Sequence, residues 1–220
     1  MAVIHHTTVK PTKLELLTAW LPSRPWYAGG TGDPQLAKAG GFRLDDPAGA
    51  VGIEFMVVSD TSGTGPNTYL VPLTYRGAPL DAADHALVGT MEHGVLGPRW
   101  IYDGCHDQVL VAQLLALIEG RVQAQDQNTS DTPDRDVTRS YLGDGFACME
   151  FTVTATDDRQ ITELRSPHDT ALRVYRVLRP APDNAPVLPP EATGHVAGCW
   201  RTADGTQARG LFAVLHTSYA

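Results

Sequence analysis

The sequence is poor in lysine, and this scarcity excludes several classes of protein. Three of its 220 residues are lysines, at Lys10, Lys13 and Lys38, and 17 basic residues face 25 acidic ones, for a formal net charge of −8. Affinity for a nucleic-acid backbone requires clustered cations, so we expect no nucleic-acid partner. No lysine follows a glycine, so the sequence lacks the phosphate-binding Gly-x-x-x-x-Gly-Lys loop.

Cysteines and long apolar runs are also scarce. Cys105, Cys148 and Cys199 lie far apart and form no Cys-x-x-Cys pair, which argues against a zinc ribbon or a disulfide framework. No run approaches the roughly 18 apolar residues that cross a bilayer, and the N-terminus lacks the pattern of a signal peptide. We therefore predict a cytoplasmic chain with no metal, no cofactor and no membrane contact.

Recognisable catalytic motifs are missing as well. The sequence has no Gly-x-Ser-x-Gly elbow, and none of its eight histidines has an aspartate two positions later, as a kinase catalytic loop requires. The adjacent pair His106-Asp107 is more typical of a helix cap than of a catalytic dyad. No catalytic residue is predicted, and we expect a protein that is not an enzyme.

Helix signals are present at two places. Thr12 and Glu15 form a capping box, and Pro22 and Pro25 end the helix that follows. A second helix is predicted from Asp107 to Gly120, with apolar positions at i, i+4, i+7 and i+8. The glycine-rich segment 28–41 is predicted to be a loop.

Alternating patterns predict strands in the rest of the chain. The segments 51–57 and 69–75 form a predicted hairpin, and Pro72 places the second strand near an edge or a bulge. The second half is interpreted as a meander whose first strand is 147–155, and Asp204-Gly205 predicts a hairpin turn. Together these patterns predict an α+β fold, a curved and mainly antiparallel sheet with two flanking helices, extended by a second β-rich meander.

The composition also suggests how the chain is divided. Residues 123–136 are rich in Gln, Asp, Asn, Thr and Ser, which is typical of a polar connection. We expect an α+β part at 1–122, this connection, and a β-rich part at 137–220. The alternating strands need a second layer, so the two parts are expected to pack together as one unit.

Aromatic residues are concentrated in the first half and suggest a contact surface. A tryptophan face can stack on a sugar ring while nearby polar groups bind its hydroxyls. An exposed aromatic patch would also suit a protein partner. The predicted ligand or partner contacts are Arg24, Trp26, Tyr69, Asp103 and His106.

Four short motifs carry a family resemblance, in the same order along the chain. They are Trp20-Leu21-Pro22-Ser23-Arg24-Pro25-Trp26, Tyr69-Leu70-Val71-Pro72-Leu73, Leu87-Val88-Gly89 and Tyr102-Asp103-Gly104-Cys105-His106-Asp107. The first half, from Lys13 to Gly120, resembles the N-terminal cap domain of bacterial maltokinases. In that family a cap without catalytic residues precedes a kinase that phosphorylates maltose for α-glucan synthesis.

The chain departs from the family pattern where catalytic lobes would follow. In the segment 171–176 an arginine stands where the ATP-contacting lysine of a kinase strand would be needed. The resemblance therefore implies an accessory, cap-like module that works with a sugar kinase or another α-glucan enzyme. Two alternatives remain, a small carbohydrate- or metabolite-binding protein and an enzyme of unrecognised chemistry.

Overall fold

A computed structural model describes residues 9–143, 154–166 and 170–217, and it shows a mainly antiparallel β-sheet with two α-helices. This agrees with the broad α+β prediction. Every strand pair in the described ranges is antiparallel. The strands are β1 (Val9–Lys10), β2 (Leu36–Leu44), β3 (Gly52–Asp60), β4 (Asn67–Arg76), β5 (Leu87–His93), β6 (Gly97–Asp103), β7 (Thr138–Tyr141), β8 (Ala155–Asp157), β9 (Ile161–Arg165), β10 (Thr170–Tyr175), β11 (Ala192–Arg201) and β12 (Gln207–Thr217).

The strands of the two halves are continuous in one hydrogen-bonded sheet. Their spatial order is β1-β5-β6-β4-β3-β2-β11-β12-β10-β9-β8, and β7 pairs with β11 off this path. The halves meet at the β2–β11 border, where Trp200 pairs with Gly40. Sheet hydrogen bonding is sparse at this border, because β11 aligns with β7 along residues 194–197 before it reaches β2.

Both predicted helices are present with the predicted caps. Helix α1 (Lys13–Trp20) has the Thr12 and Glu15 capping box and continues into a 3-10 turn at Leu21–Ser23. In α2 (Gln108–Glu119) the side chain of Asp107 accepts the backbone N–H of Val109. Gly120 ends α2 with φ of 79°, a left-handed conformation that glycine adopts without a Cβ clash.

The two helices cover opposite faces of the sheet. Successive strand residues point to opposite faces, so Phe55 of β3 packs in the cluster that contains α2, while Met56 packs in the cluster that contains α1. The α2 cluster also takes in residues of the second half, including Leu172, Val196 and Phe212. One apolar core therefore spans both halves of the chain.

The prediction that 28–41 is entirely loop is wrong, because β2 begins at Leu36. A register shift lies between Lys38 and Gly40, so the strand carries a β-bulge. Gly41 has φ of 130°, and a Cβ there would lie 2.2 Å from the Phe55 carbonyl oxygen. The glycines that suggested a loop instead permit a bulged strand to lie close against its neighbour.

The predicted hairpin at 51–57 and 69–75 is confirmed, with Phe55 paired to Pro72. Its second strand, β4, is interior to the sheet rather than an edge strand. Pro72 is tolerated there because β4 pairs with β6 only from Leu73 to Arg76. The missing N–H of Pro72 therefore interrupts no ladder on that side.

The second half contains the predicted hairpin around Asp204-Gly205, formed by β11 and β12. Gly205 has φ of 84° in its turn. The alternating pattern also predicts strands at 161–164 and 172–178, and β9 and β10 match them, although β10 ends at Tyr175 rather than Leu178. Of the strand predicted at 147–155, the segment 147–153 lies outside the described residues, as does Cys148.

Candidate functional site

A buried ion pair joins the two halves of the chain. Asp103 stands at the C-terminal end of β6, where its Oδ1 accepts the backbone N–H of Cys105. The Arg176 Nη2 donates to Asp103 Oδ1 at 2.7 Å and to Oδ2 at 2.6 Å. Both residues are almost completely buried, at 1% exposure for Asp103 and 0% for Arg176. A charge pair this far from water requires close, well-directed hydrogen bonds to offset its desolvation.

The backbone around Arg176 brings the guanidinium to this position. After β10, the chain runs beside the part of β4 that β6 leaves open, where Leu70 N–H donates to Arg176 O and Leu178 N–H donates to Thr68 O. Arg176 Nε also donates to Thr162 Oγ1 at 2.6 Å. Residues 176–178 thus extend the β4 pairing and fix the side chain over Asp103.

Electrostatics keep the Arg176 guanidinium charged. Burial alone would lower the pKa of Arg176, but the charge and hydrogen bonds of Asp103 outweigh it and raise that pKa above its ordinary value. The guanidinium carbon also lies 5.1 Å from the centre of the Trp26 ring, a cation–π arrangement. The guanidinium therefore stays charged where it joins the two halves of the chain.

Trp26 and Tyr69, two of the predicted contact residues, lie in the core. Their exposures are 1% and 0%, and their ring centres are 5.8 Å apart. The Tyr69 hydroxyl accepts the backbone N–H of Ala28, and burial raises the pKa of Tyr69 to about 12. These two rings therefore form no exposed aromatic patch, because they pack in the buried cluster that contains α1.

Arg24 and His106, the remaining predicted contacts, are partly exposed and lie apart. The Arg24 guanidinium lies 4.7 Å from the Trp20 ring centre. His106 Nδ1 lies 3.1 Å from Nε2 of His85, with the two rings nearly perpendicular. Burial lowers the pKa of His106, and the charge of Asp103 opposes that shift only in part.

The groups around Asp103 are poorly suited to act as reactive groups. The carboxylate is taken up by Arg176, and the neighbouring Cys105 thiol is fully buried, with a pKa raised by desolvation well above its ordinary value. A thiol becomes a nucleophile as the thiolate, and burial disfavours that form. The chemistry here is that of a structural contact, not of bond-making at a substrate.

A cleft of about 260 Å³ lies elsewhere, at the β2–β11 border. It occupies the place where β11 passes from β7 to β2, so neither neighbour fills the gap completely. Its wall includes Gly40 and Gly41 of β2 and Trp200 of β11, and its rim comes from the polar connection. Ligand sites are common at junctions of this kind.

Three aspartates from the polar connection line this cleft. They are Asp126, Asp134 and Asp136, and none is ion-paired in the parts of the chain that the structure describes. Asp134 Oδ1 accepts the N–H of Asp136, which orders the loop. Burial raises the pKa of Asp134, and the charges of Asp136 and Asp126 add to that rise. The cleft is thus rich in hydrogen-bond acceptors.

Neither Arg176 nor the cleft was predicted from the sequence. Arg176 lies 73 positions from Asp103 along the chain, and nothing in the local pattern points to Asp103 as its partner. The three aspartates were visible as part of the polar 123–136 stretch, where they are as typical of turns as of a binding site. These aspartates line a cleft only because β11 lies beside β2 in the folded chain.

Comparison with known proteins agrees with the resemblance in the first half. The family model of the maltokinase N-terminal cap domain matches residues 20–107, which confirms the similarity to that cap domain. The matched segment runs from Trp20 to Asp107 and includes β2 to β6. No protein of curated function matches the chain.

Two further findings concern metal ions and membranes. The described residues contain no group of three or more His, Cys, Asp or Glu side chains placed to hold a metal ion. Helices α1 and α2 have 8 and 12 residues, and neither is long and apolar enough to span a bilayer.

Proposed function

We propose that the chain is a non-catalytic accessory module that acts with a sugar kinase or another enzyme of α-glucan metabolism. The observation that carries the proposal is the match of residues 20–107 to the maltokinase N-terminal cap domain. The cap-like strands β2 to β6 form one side of the sheet, and the second half is built onto them. A module of this kind provides a binding surface for its partner enzyme and does not catalyse a reaction itself.

The surroundings of Asp103 and Cys105 support a non-catalytic role. Asp103 is neutralised by Arg176, and Cys105 is buried without access to solvent. The kinase motifs that would supply phosphate binding and a catalytic aspartate are missing from the sequence. Activity would therefore belong to the partner enzyme.

A second candidate function is the binding of a small carbohydrate or metabolite. The cleft at the β2–β11 border favours it, because it combines carboxylates, an arginine and a tryptophan around a space of about 260 Å³. This function is compatible with an accessory role, since a module can present a ligand to its partner.

Phosphoryl transfer and thermal stability test the accessory role in purified components. The chain alone, with ATP, Mg²⁺ and maltose, is expected to form no maltose phosphate. Added in equimolar amount to a purified maltose-phosphorylating kinase, it is expected to raise the midpoint of the kinase's thermal unfolding, because a partner that binds the folded state stabilises it. Phosphoryl transfer by the chain alone would overturn the non-catalytic assignment, and an unchanged midpoint would remove that kinase as the partner.

A further inference from the structure

Two histidines meet at one end of the β5–β6 hairpin. His85 lies in the 3-10 turn Asp84–Ala86 directly before β5, and His106 lies in the 3-10 turn Gly104–His106 directly after β6. Because β5 and β6 pair in antiparallel orientation, these turns come together although the histidines are 21 positions apart along the chain. His85 is exposed and His106 is half-buried, so the pair is open to solvent.

The backbone beside each histidine is anchored in the protein. Ala86, which follows the first histidine, is buried in one small apolar cluster with Tyr102. Cys105, which precedes the second histidine, is fully buried, and its backbone N–H donates to Asp103 Oδ1. The two turns are therefore held in place before any ligand arrives, and a preorganised pair of side chains loses little freedom when it binds one.

The distances within the pair match those of two ligands on one metal ion. Nε2 of His85 and Nδ1 of His106 are 3.1 Å apart. Two nitrogens at about 2.0 to 2.1 Å from one ion are separated by about 2.9 to 3.4 Å when the bond angle is roughly 90° to 110°. The ring planes meet at 86° with centres 4.7 Å apart. Rings aligned through a straight N–H···N bond would have centres about 5.4 Å apart, so these rings are inclined to the line between the nitrogens, as ligands of an ion beside that line are.

The protonation chemistry of the pair also suits a metal ion. Imidazole binds an ion through a nitrogen that carries no proton, and histidine side chains are mostly neutral at pH 7. In the neutral pair, one of the two facing nitrogens donates its N–H to the other. Ion binding therefore requires the donor ring to move that proton to its second nitrogen through solvent, and two neutral rings release no net proton.

We propose that His85 and His106 together bind one divalent transition-metal ion of the kind that imidazole prefers, such as Zn²⁺. Among the residues that the structure describes, no third His, Cys, Asp or Glu side chain is placed to join them. The site thus offers two ligands, and positions for water remain on the ion. The bound ion links the turn before β5 to the turn after β6. This site goes beyond the proposed accessory role and does not depend on it.

The test is an NMR titration of the ¹⁵N-labelled, chelator-treated full chain with Zn²⁺, followed at the side-chain nitrogens of the histidines. Saturable shifts are expected for both His85 and His106. His85→Gln and His106→Gln are each expected to weaken binding at the remaining ring by about a hundredfold, because two linked ligands gain roughly that factor over one. His93→Gln is the matched control, since His93 ends β5 at the opposite end of the hairpin, where its Nδ1 accepts the N–H groups of Val95 and Leu96.

Three results would overturn the proposed site. One is the absence of saturable Zn²⁺ shifts at either ring. Another is equal Zn²⁺ binding by wild type and a variant whose backbone amide spectrum shows that it is folded, and His85→Gln is expected to supply such a variant because His85 is exposed. The third is an equal response to Mg²⁺, which prefers oxygen ligands and would indicate an effect of charge alone. All three are read on the chain alone, so they stay distinct from a failure of the partner experiments.

Discussion

At the scale of residues, the buried contact between Asp103 and Arg176 joins the two halves of the chain. The pair is buried, and one guanidinium nitrogen of Arg176 donates to both carboxylate oxygens of Asp103. Arg176 also donates to Thr162 and lies over the ring of Trp26. Replacing such a pair by apolar residues can be neutral, whereas removing one partner leaves an isolated buried charge. Each buried charge has its partner only when the two halves are assembled correctly, so we expect the stability of the folded chain to depend on that assembly.

Asp103→Asn is expected to lower the free energy of unfolding by about 3 to 5 kcal/mol, because Arg176 keeps its charge without a counter-ion. Urea denaturation followed by circular dichroism measures the change. The double variant Asp103→Leu with Arg176→Met should recover much of the loss. Arg165→Ala is the control, since the Arg165 side chain is 76% exposed in its pair with Glu163 and should contribute little. A loss no larger than that of the control would contradict the role of the buried pair.

His106 gives a pH-dependent prediction at the same scale. Burial lowers its pKa in the folded chain, so below about pH 6.5 the unfolded chain takes up a proton more readily. The contribution of His106 to stability is thus complete above that pH and is lost as the pH falls. In His106→Asn, the decline of unfolding free energy between about pH 7 and pH 5 should be shallower than in wild type. Parallel profiles would show that the histidine is not held neutral by its surroundings.

At the scale of elements, the bulged strand β2 depends on its glycines. Gly41→Ala would place a Cβ 2.2 Å from the Phe55 carbonyl oxygen at a φ of 130°. We expect a loss of about 1 to 3 kcal/mol, measured as a shift of the urea midpoint, because strand β3 must move. Gly32→Ala is the matched control, since a Cβ at that position would meet no atom within 4 Å. Equal midpoints for the two variants would contradict this account of β2.

The elements that could be predicted are those whose signals are local. The capping box at Thr12, the cap at Asp107 and the turn at Asp204-Gly205 each act within a few residues, and each is present in the structure. Strand β2 could not be recognised, because what makes Gly41 suitable is the nearness of Phe55 on another strand. The interior position of Pro72 likewise depends on where β6 ends its pairing.

The candidate site was less predictable than the fold for the same physical reason. Arg24, Trp26, Tyr69, Asp103 and His106 were chosen by residue type, and residue type does not separate a surface aromatic from a core aromatic. Trp26 is packed against Arg176, a residue of the other half. The cleft depends on three distant segments, and their meeting is decided by tertiary packing.

At the scale of the whole molecule, we propose that the parts 1–122 and 137–220 unfold together as one unit. They share the α2 core cluster, the Asp103–Arg176 pair and the hydrogen bonds from residues 176–178 to β4. Denaturation is expected to give one coincident transition by tryptophan fluorescence and circular dichroism. Limited proteolysis within 123–136 should leave the two pieces associated under native conditions. Release of two separately stable folded fragments would contradict the proposal.

The proposed function is association of the chain with a sugar kinase or another α-glucan enzyme. Affinity capture of the tagged full chain from the lysate of its own organism, with ATP and maltose present, tests it most directly when mass spectrometry identifies what is retained. We predict recovery of a sugar kinase or another α-glucan enzyme in stoichiometric amount, and no such recovery with the tag alone. Elution of the chain without any such enzyme would contradict the accessory role.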